Sequence, residues 1–183
     1  HVSKERIFMK FKTDYRRMMG REWKFGLSSI ARFFAYHHIR FMWYWRRYEQ
    51  RKSIFLRLII FKYAHKYGLE ISPEAEIGES FYLGHPYNIT VGGNVKMGHH
   101  VALHKGATIG KENRGIREGS PTIGNYVWIG INSTIIGNVH IGNDVLIAPN
   151  AYVNFDVPDH SIVIGNPATI HYREGAVEKY IGE

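Results

Sequence analysis

The chain has 183 residues, 44% of them hydrophobic, which is ordinary for a globular protein and sufficient for one domain with an appendage. It contains no cysteine, which excludes disulfides, thiolate metal sites and a cysteine nucleophile, and suits the reducing cytoplasm. The net charge of +8 is divided unevenly, because residues 1–68 hold 17 lysines and arginines against 4 acidic residues, whereas residues 69–183 hold 7 against 12.

The basic N-terminal region, residues 1–68, is predicted to be helical. Its pattern predicts helices over residues 4–19, 28–50 and 53–67. Ser53 is placed to cap the third helix and Gly68 to end it.

The second predicted helix is crowded with aromatic and basic side chains. Eight aromatic residues lie between Phe33 and Tyr48, and arginines lie among them. No charge-free run approaches the about 20 residues that a membrane-spanning helix needs. The simplest interpretation is that the aromatics pack the helices together while the basic groups reach water. The alternative is a basic face that meets anionic lipid, peripherally at the inner face of the cell membrane. A polyanionic glycan would suit the same face, whereas no nucleic-acid-binding motif is present.

From residue 69 onward the sequence follows a period of six. Neither the helical period of 3.6 nor the strand period of 2 explains this spacing. A hexapeptide period indicates a parallel β-helix, in which three hexads close one coil and the coils stack about 4.8 Å apart. Ordinary short strands in a sandwich would not keep thirteen positions in phase. These positions are Ile71, Ile77, Leu83, Val91, Met97, Leu103, Ile109, Ile123, Ile129, Ile135, Ile141, Ile147 and Val153.

The period is interrupted twice. Two extra residues lie between Leu83 and Val91, and eight lie between Ile109 and Ile123. An insertion bulges a coil outward and can present a side chain to a groove. His85 lies in the first insertion, and an imidazole with a pKa near 6.5 can take a proton from a hydroxyl. The alternative is a turn histidine with a structural hydrogen bond.

These features resemble the left-handed β-helix acyltransferases, also called hexapeptide transferases. Within them, the chain is most similar to serine acetyltransferases and to the polysaccharide O-acetyltransferases that share their core. The resemblance implies a mainly β fold, with a left-handed parallel β-helix over residues 69–170, an α-helical region over 1–68 and a tail over 171–183. The matching segments are Gly68-Leu-Glu-Ile-Ser-Pro, Leu83-Gly-His-Pro, Ala107-Thr-Ile-Gly, Val127-Trp-Ile-Gly and Val163-Ile-Gly-Asn-Pro-Ala.

The resemblance implies catalytic roles for two residues. Serine acetyltransferases have an Asp-His step at the position of Gly84 and His85, and the histidine is their general base. An aspartate fifteen residues earlier orients that histidine. Glu70 stands at that distance here, so His85 and Glu70 are the expected catalytic residues, with Gly84 replacing the family's aspartate.

The second insertion bears on the acceptor. In the family such loops fold over the groove beside the catalytic histidine. Gly119 and Ser120 stand where serine acetyltransferases have the Arg-His pair that holds their amino acid. This departure moves the expected acceptor from serine to a sugar hydroxyl. The residues expected at the acceptor are Tyr87, Asn88, Arg114 and Ser120.

The resemblance also implies where acetyl-CoA binds. The family's pantetheine arm lies in a groove between coils of adjacent subunits, which needs small residues. The alternative is that Gly130 and Ala148 are small because the turns demand it. No metal is expected, since His99, His100 and His104 are interpreted as surface or subunit-interface residues. The residues expected at acetyl-CoA are Lys111, Trp128, Gly130, Ile131, Ala148, Pro149 and Pro167.

The sequence therefore predicts an acetyl-CoA-dependent O-acetyltransferase that acts as a homotrimer. The expected acceptor is a sugar hydroxyl of a bacterial surface polysaccharide or its precursor. One alternative is serine O-acetylation in cysteine biosynthesis. Another, of a different class, is a non-catalytic trimeric β-helix scaffold or glycan-binding module. A zinc-dependent hydratase would require bound metal.

Overall fold

The structure is a computed structural model, and it describes residues 4–181. Four helices precede fifteen short strands. The helices are α1 (Lys4–Met19), α2 (Leu27–Ala35), α3 (His37–Arg51) and α4 (Ile54–Tyr67). The strands are β1 (Leu69–Ile71), β2 (Glu76–Ile77), β3 (Tyr82–Gly84), β4 (Ile89–Val91), β5 (Lys96–Met97), β6 (Ala102–His104), β7 (Thr108–Gly110), β8 (Thr122–Ile123), β9 (Val127–Ile129), β10 (Thr134–Ile136), β11 (His140–Ile141), β12 (Val145–Ile147), β13 (Tyr152–Val153), β14 (Ser161–Gly165) and β15 (Ala168–Tyr172).

The strands form a left-handed parallel β-helix, as predicted. Successive strands enter three sheets in turn: sheet A (β1, β4, β7, β10, β13), sheet B (β2, β5, β8, β11) and sheet C (β3, β6, β9, β12, β14, β15). Uninterrupted coils repeat every eighteen residues, since Val145 pairs with Val127. All thirteen in-phase aliphatic residues are buried, with at most 6% of each side chain exposed. They form one continuous interior column.

The helical region differs from the prediction at one point. Residues 28–50 do not form a single helix, because Tyr36 is extended (φ −102°, ψ 109°) and separates α2 from α3. The guanidinium of Arg40 donates hydrogen bonds to the carbonyl groups of Phe33 and Phe34 at the end of α2. A helix end needs such partners for its last carbonyls, and an arginine side chain that supplies them from six and seven residues away leaves no glycine or proline signal in the sequence.

A buried ion pair joins the helical region to the first coil. Arg46 and Asp14 have no exposed side-chain surface, and two nitrogens of Arg46 donate to Asp14 at 2.8 and 3.2 Å. Arg46 also donates to the carbonyl groups of Ile77 and Gly78, and the Phe81 N–H donates to Asp14. Helices and coil therefore share one core.

The C-terminal segment folds back onto sheet C. Strand β15 pairs antiparallel with β14, and the following residues pack Ala176 and Val177 against Leu146. Asp144 holds this tail, because its carboxylate accepts hydrogen bonds from the N–H groups of residues 175–177 and from His160. Residues 1–3 and 182–183 of the predicted N-terminal region and tail lie outside the described residues.

Candidate active site

His85 and Pro86 are the two residues that interrupt the coil. Gly84 pairs with His104 before the interruption. After it, the Gly106 N–H donates to the Tyr87 carbonyl as the Asn132 N–H donates to the Lys105 carbonyl, which aligns Tyr87 with Lys105. Asn88, Gly106, Asn132 and Asn150 form a column of left-handed residues at this corner, with φ between 54° and 73°. His85 (φ 49°) lies outside that column. The insertion therefore pushes one extra left-handed residue out of the corner where sheet C turns into sheet A.

The side chain of His85 is exposed and makes no hydrogen bond within residues 4–181. The backbone beside it is fixed, because the Tyr87 N–H donates to the His85 carbonyl and His37 Nε2 donates to the Pro86 carbonyl at 3.1 Å. The His37 ring stacks on Tyr67 with centroids 4.0 Å apart. Burial lowers the pKa of His37, which keeps this supporting imidazole neutral. A free imidazole on a fixed backbone is the arrangement that a general base needs.

Two of the predicted acceptor residues lie beside His85. Tyr87 is 46% exposed, and its ring lies 5.0 Å from that of His37. Asn88 sits at the corner with φ 54°, and its side chain lies against Gly68, where a Cβ would collide with it. Gly68 is therefore required both to end α4 and to leave room for Asn88.

Glu70 points outward from β1 and is exposed. It borders a groove between β1 and α4, together with Arg57 and His65. Among residues 4–181 no hydrogen bond joins Glu70 to His85. The role of Glu70 as the residue that orients His85 stays a prediction.

His104, which the sequence analysis interpreted as a surface or subunit-interface residue, lies near enough to His85 to feel its charge. It stands in the outward-facing row of sheet C that contains Gly84, Gly130 and Ala148. Its Nδ1 lies 3.0 Å from the carbonyl oxygen of Ile129, and its ring lies 4.5 Å from that of Trp128. The sequence carried a signal for this position, because glycine commonly follows an in-phase aliphatic residue and a histidine follows Leu103.

The residues predicted to meet the donor lie along the same corner. Ile131 and Pro149 stack above Tyr87 in one row, while Gly130 and Ala148 stack in the neighbouring row. A Cβ at Gly130 would lie 2.6 Å from the nitrogen of Pro149, so the backbone itself demands a glycine there. Trp128 faces outward beside this corner.

The tail completes a wall next to these residues. Tyr180 packs on Trp128 with ring centroids 5.2 Å apart, and both border a cavity together with Leu146, Ala148 and Pro149. Pro167 lies in the exposed turn between β14 and β15. The corner and the tail together give an apolar groove that runs along the coils.

The charged loop of residues 111–121 lies at a different corner. It leaves sheet A after β7 and returns in sheet B at β8, whereas His85 lies between sheets C and A. The loop closes on itself through paired hydrogen bonds between Glu112 and Gly119, and Arg117 binds Asp156 at 3.2 Å. The predicted ligands in this loop are Lys111 and Arg114, which are exposed, and Ser120, which is half-buried. One chain alone does not bring them to His85.

The histidine pair of the second coil packs on itself. His99 Nδ1 and His100 Nδ1 lie 2.8 Å apart, and the His100 ring stacks on Tyr126. Residues 4–181 contain no group of three or more histidine, aspartate and glutamate side chains suited to hold a metal ion. In the same range, no helix has the length and apolar character to cross a membrane.

The fold and the repeat together define a class of protein. Residues 120–154 match the family model described as bacterial transferase hexapeptide (six repeats). The chain therefore has the hexapeptide repeats and the left-handed β-helix fold that its sequence predicted.

The named relatives are serine acetyltransferases. The chain is 30% identical to that of Synechococcus elongatus over 128 residues, which cover 70% of this chain and 52% of the relative. It is 34% identical to serine acetyltransferase 2 of Arabidopsis thaliana over 122 residues, which cover 67% of this chain and 38% of the relative. The chain thus spans about half or less of these relatives' length.

Solved structures confirm the fold. The Neisseria gonorrhoeae serine acetyltransferase superposes with a TM-score of 0.75 at 23% identity, covering 93% of this chain and 66% of that one. The soybean apoenzyme gives a TM-score of 0.77 at 24% identity, covering 90% and 69%. The coverage of this chain is 90–93% because the likeness extends from the β-helix into the helical region.

Proposed function

We propose that this protein is an acetyl-CoA-dependent O-acetyltransferase with His85 as the general base. One observation carries the proposal most directly: His85 is one of the two residues inserted into an otherwise regular corner column, and its imidazole makes no hydrogen bond with the described part of the chain. The resemblance assigns the general base to this position. The groove of small residues along the same corner supports a bound pantetheine arm.

The acceptor has two candidates. The relatives support L-serine, which the sequence had placed second, better than the glycan that it had placed first. L-serine is therefore the first acceptor to test. A sugar hydroxyl remains the second candidate because Gly119 and Ser120 replace the Arg-His pair with which serine acetyltransferases hold their amino acid, and Gly84 replaces the aspartate that precedes their general base.

The chemistry follows from the position of His85. Its imidazole takes the proton from the acceptor hydroxyl, and the oxygen attacks the thioester carbonyl. Backbone N–H groups near the groove stabilise the tetrahedral oxyanion. The C–S bond then breaks, and His85 returns its proton to the leaving thiolate. No covalent enzyme intermediate is required in this direct transfer.

We also propose a trimer in which each site lies between two chains. The support is the separation of the predicted ligands, since Lys111, Arg114 and Ser120 lie at the corner between sheets A and B, one sheet away from His85. A neighbour related by threefold symmetry can bring its loop corner to the His85 corner. Each chain then supplies a base to one site and a loop to another.

A contact with anionic lipid is the proposed role of an exposed apolar face on α2, which we call the α2 patch. It consists of Phe25, Leu27, Ile30 and Phe34, whose exposed fractions are 85, 88, 47 and 68%. Arg21, Lys24 and Arg32 lie close to it in the sequence. Apolar residues with basic residues nearby in the sequence suit the surface of an anionic membrane.

Sedimentation with anionic and with neutral vesicles tests this contact. We expect binding to the anionic vesicles only, and loss of that binding in the Leu27→Asp/Phe34→Asp variant. Ile116→Asp is the matched control, because Ile116 is fully exposed but lies on the distant loop. Equal sedimentation of all three proteins would refute the proposed role of the α2 patch.

Thiol release from acetyl-CoA tests the proposed activity. The wild type is compared with His85→Ala on L-serine and on a panel of sugars and capsule-type oligosaccharides. We expect acceptor-dependent release that falls by at least about 100-fold in the variant. If none of the tested acceptors gives more thiol release than His85→Ala does, the result would support the scaffold or glycan-binding alternative.

A further inference from the structure

The two ring nitrogens of His104 differ, because Nδ1 makes a hydrogen bond and Nε2 makes none within residues 4–181. Its Nδ1 lies 3.0 Å from the carbonyl oxygen of Ile129, and a carbonyl can only accept, so Nδ1 carries the proton. Burial lowers the pKa of His104, an effect that the hydrogen bond to Ile129 offsets only in part, and the neighbouring His85 lowers it further. The imidazole is therefore neutral near pH 7, and its Nε2 presents a lone pair.

That lone pair lies next to the general base. A Cβ built on Gly84 would come within 2.6 Å of His104 Nε2, so the Nε2 edge of the ring overlies the residue that precedes His85. Nε2 has no hydrogen-bond partner among residues 4–181. The ring also packs on Trp128, with ring centroids 4.5 Å apart. The imidazole therefore has a fixed orientation and an unused acceptor atom at the mouth of the groove.

The absence of a side chain at Gly84 is what permits this arrangement. Serine acetyltransferases carry an aspartate at that position, and its Cβ would collide with the His104 ring seen here. Gly84 and His104 therefore form a matched pair, in which a neutral imidazole occupies space that the family gives to a carboxylate. The family's carboxylate is thus replaced here by the imidazole of His104.

We propose that His104 is an acceptor-binding residue whose Nε2 accepts a hydrogen bond from a second donor group of the acceptor, close to the hydroxyl that reacts. The inference rests on the proposed transferase function. The required acceptor chemistry is a hydroxyl with a neighbouring hydroxyl or ammonium group. L-serine offers the ammonium group, and a sugar offers the neighbouring hydroxyl.

The variant His104→Asn separates binding from packing. Its side-chain amide can replace the Nδ1–H that binds the Ile129 carbonyl, but it places no acceptor where Nε2 lies. His104→Gln is the reciprocal control, since its amide oxygen can reach toward the Nε2 position. Both variants are first compared with the wild type by circular dichroism and thermal unfolding, so that any loss of folding is recognised.

The kinetic test uses pairs of acceptors that differ in the second donor alone. L-serine is paired with 3-hydroxypropanoate, and a methyl galactoside is paired with its monodeoxy analogues. We expect His104→Asn to raise KM about tenfold for the acceptor with two donors, with little change in kcat and no change for the analogue that lacks the donor. The pair of acceptors whose KM values respond differently to the substitution shows whether the acceptor is an amino acid or a sugar.

Calorimetric binding of the same acceptors to His85→Ala keeps this inference separate from the proposed reaction. Weaker binding on adding His104→Asn, seen only for acceptors with both donors, would support the role of His104 even if no turnover is found. Equal effects on both members of each pair would overturn it, as would unchanged binding or no binding of any acceptor. Absence of thiol release alone would instead refute the transferase activity.

Discussion

Asp14 and Arg46 are the two charged side chains on which the joint between helices and coils depends. Both are fully buried, and Arg46 directs its donors to the carboxylates of Asp14 and Glu49 and to two carbonyl groups of the first coil. Sequence analysis treated the arginines of this region as one group that reaches water. Nothing in the local pattern distinguishes Arg46 from Arg47, because the partner of Arg46 is 32 residues away.

Asp14→Ala is expected to destabilise the protein by about 3 kcal/mol, because the buried guanidinium of Arg46 loses its fully buried counter-charge and keeps only the partly exposed Glu49 carboxylate. Chemical denaturation monitored by circular dichroism measures the effect. Arg16→Ala is the matched control on the same helix, since the ion pair of Arg16 with Glu22 is more than half exposed, and it should cost less than about 1 kcal/mol. Similar losses in both variants would contradict the structural role of the buried pair.

Gly84 matters because it has no side chain, which leaves space for the ring of His104. Gly84→Ala should cost about 1–3 kcal/mol, because the new Cβ meets the imidazole of His104. Removing that imidazole in Gly84→Ala/His104→Ala should recover most of the loss. Thermal unfolding of the single and double variants measures this coupling.

Gly92→Ala is the control for glycine replacement itself. A Cβ at Gly92 would lie 3.6 Å from its nearest neighbour, the carbonyl oxygen of Ile109, so the backbone has room for it. We expect a change within about 0.5 kcal/mol. If the double variant at residues 84 and 104 were no more stable than Gly84→Ala, the two positions would not be coupled.

At the scale of elements, the tail is held by the carboxylate of Asp144, the residue just before β12. Burial opposes the charge of Asp144, but the hydrogen bonds from His160 and from three tail N–H groups outweigh it and lower the pKa of the carboxyl. The same hydrogen bond raises the pKa of His160. Asp144 thus stabilises the tail above pH 3.9 and loses this effect as pH falls through its lowered pKa. His160 contributes below pH 6.5, and this part is lost as pH rises through its raised pKa.

The tail should therefore be anchored most firmly between about pH 4 and pH 6.5. Amide hydrogen exchange of residues 175–177 measures the anchoring, with Asp144→Asn compared with the wild type at each pH. We expect faster exchange in the variant, with the difference largest inside this window. Asp159→Asn is the control, since Asp159 binds Asn143 rather than the tail. A difference independent of pH would exclude the contribution of His160.

The elements also show where sequence reasoning succeeds. The hexad positions could be predicted because each coil repeats one local rule, in which an aliphatic residue faces a column of its own kind. The break at Tyr36 could not, because its cause is the reach of Arg40 to carbonyl groups of the preceding helix. The position of His85 at an insertion was visible in the phase. The hydrogen bond between His104 Nδ1 and the Ile129 carbonyl could not be predicted, because Ile129 lies in the next coil.

At the scale of the whole molecule, the two corners of each chain carry complementary halves of the predicted site. Mixing His85→Ala with Arg114→Ala chains, after dissociation and reassembly, should restore activity that neither variant has alone. With random mixing, about a quarter of the sites should combine an intact base with an intact loop. Thiol release measures the recovery, and sedimentation should give about three times the 21.2 kDa of one chain.

Unmixed variants that are reassembled separately provide the control for this experiment. Restored activity in the mixture alone would place the base and the loop of one site on different chains. If mixed and separate samples remain equally inactive while trimers form, Arg114 and His85 do not meet across the interface.

The row formed by Gly84, His104, Gly130 and Ala148 has a consequence for how such a protein can change. Each member belongs to one coil, so the span from the base to the wall made by the tail is counted in whole coils. Strand spacing fixes each step at about 4.8 Å. Duplicating the eighteen residues that separate Val127 from Val145 would preserve every pairing and move the tail by one step. The distance from His85 to the tail is therefore set in whole coils, and in the proposed transferase the number of coils would fix the length of donor that the groove accommodates.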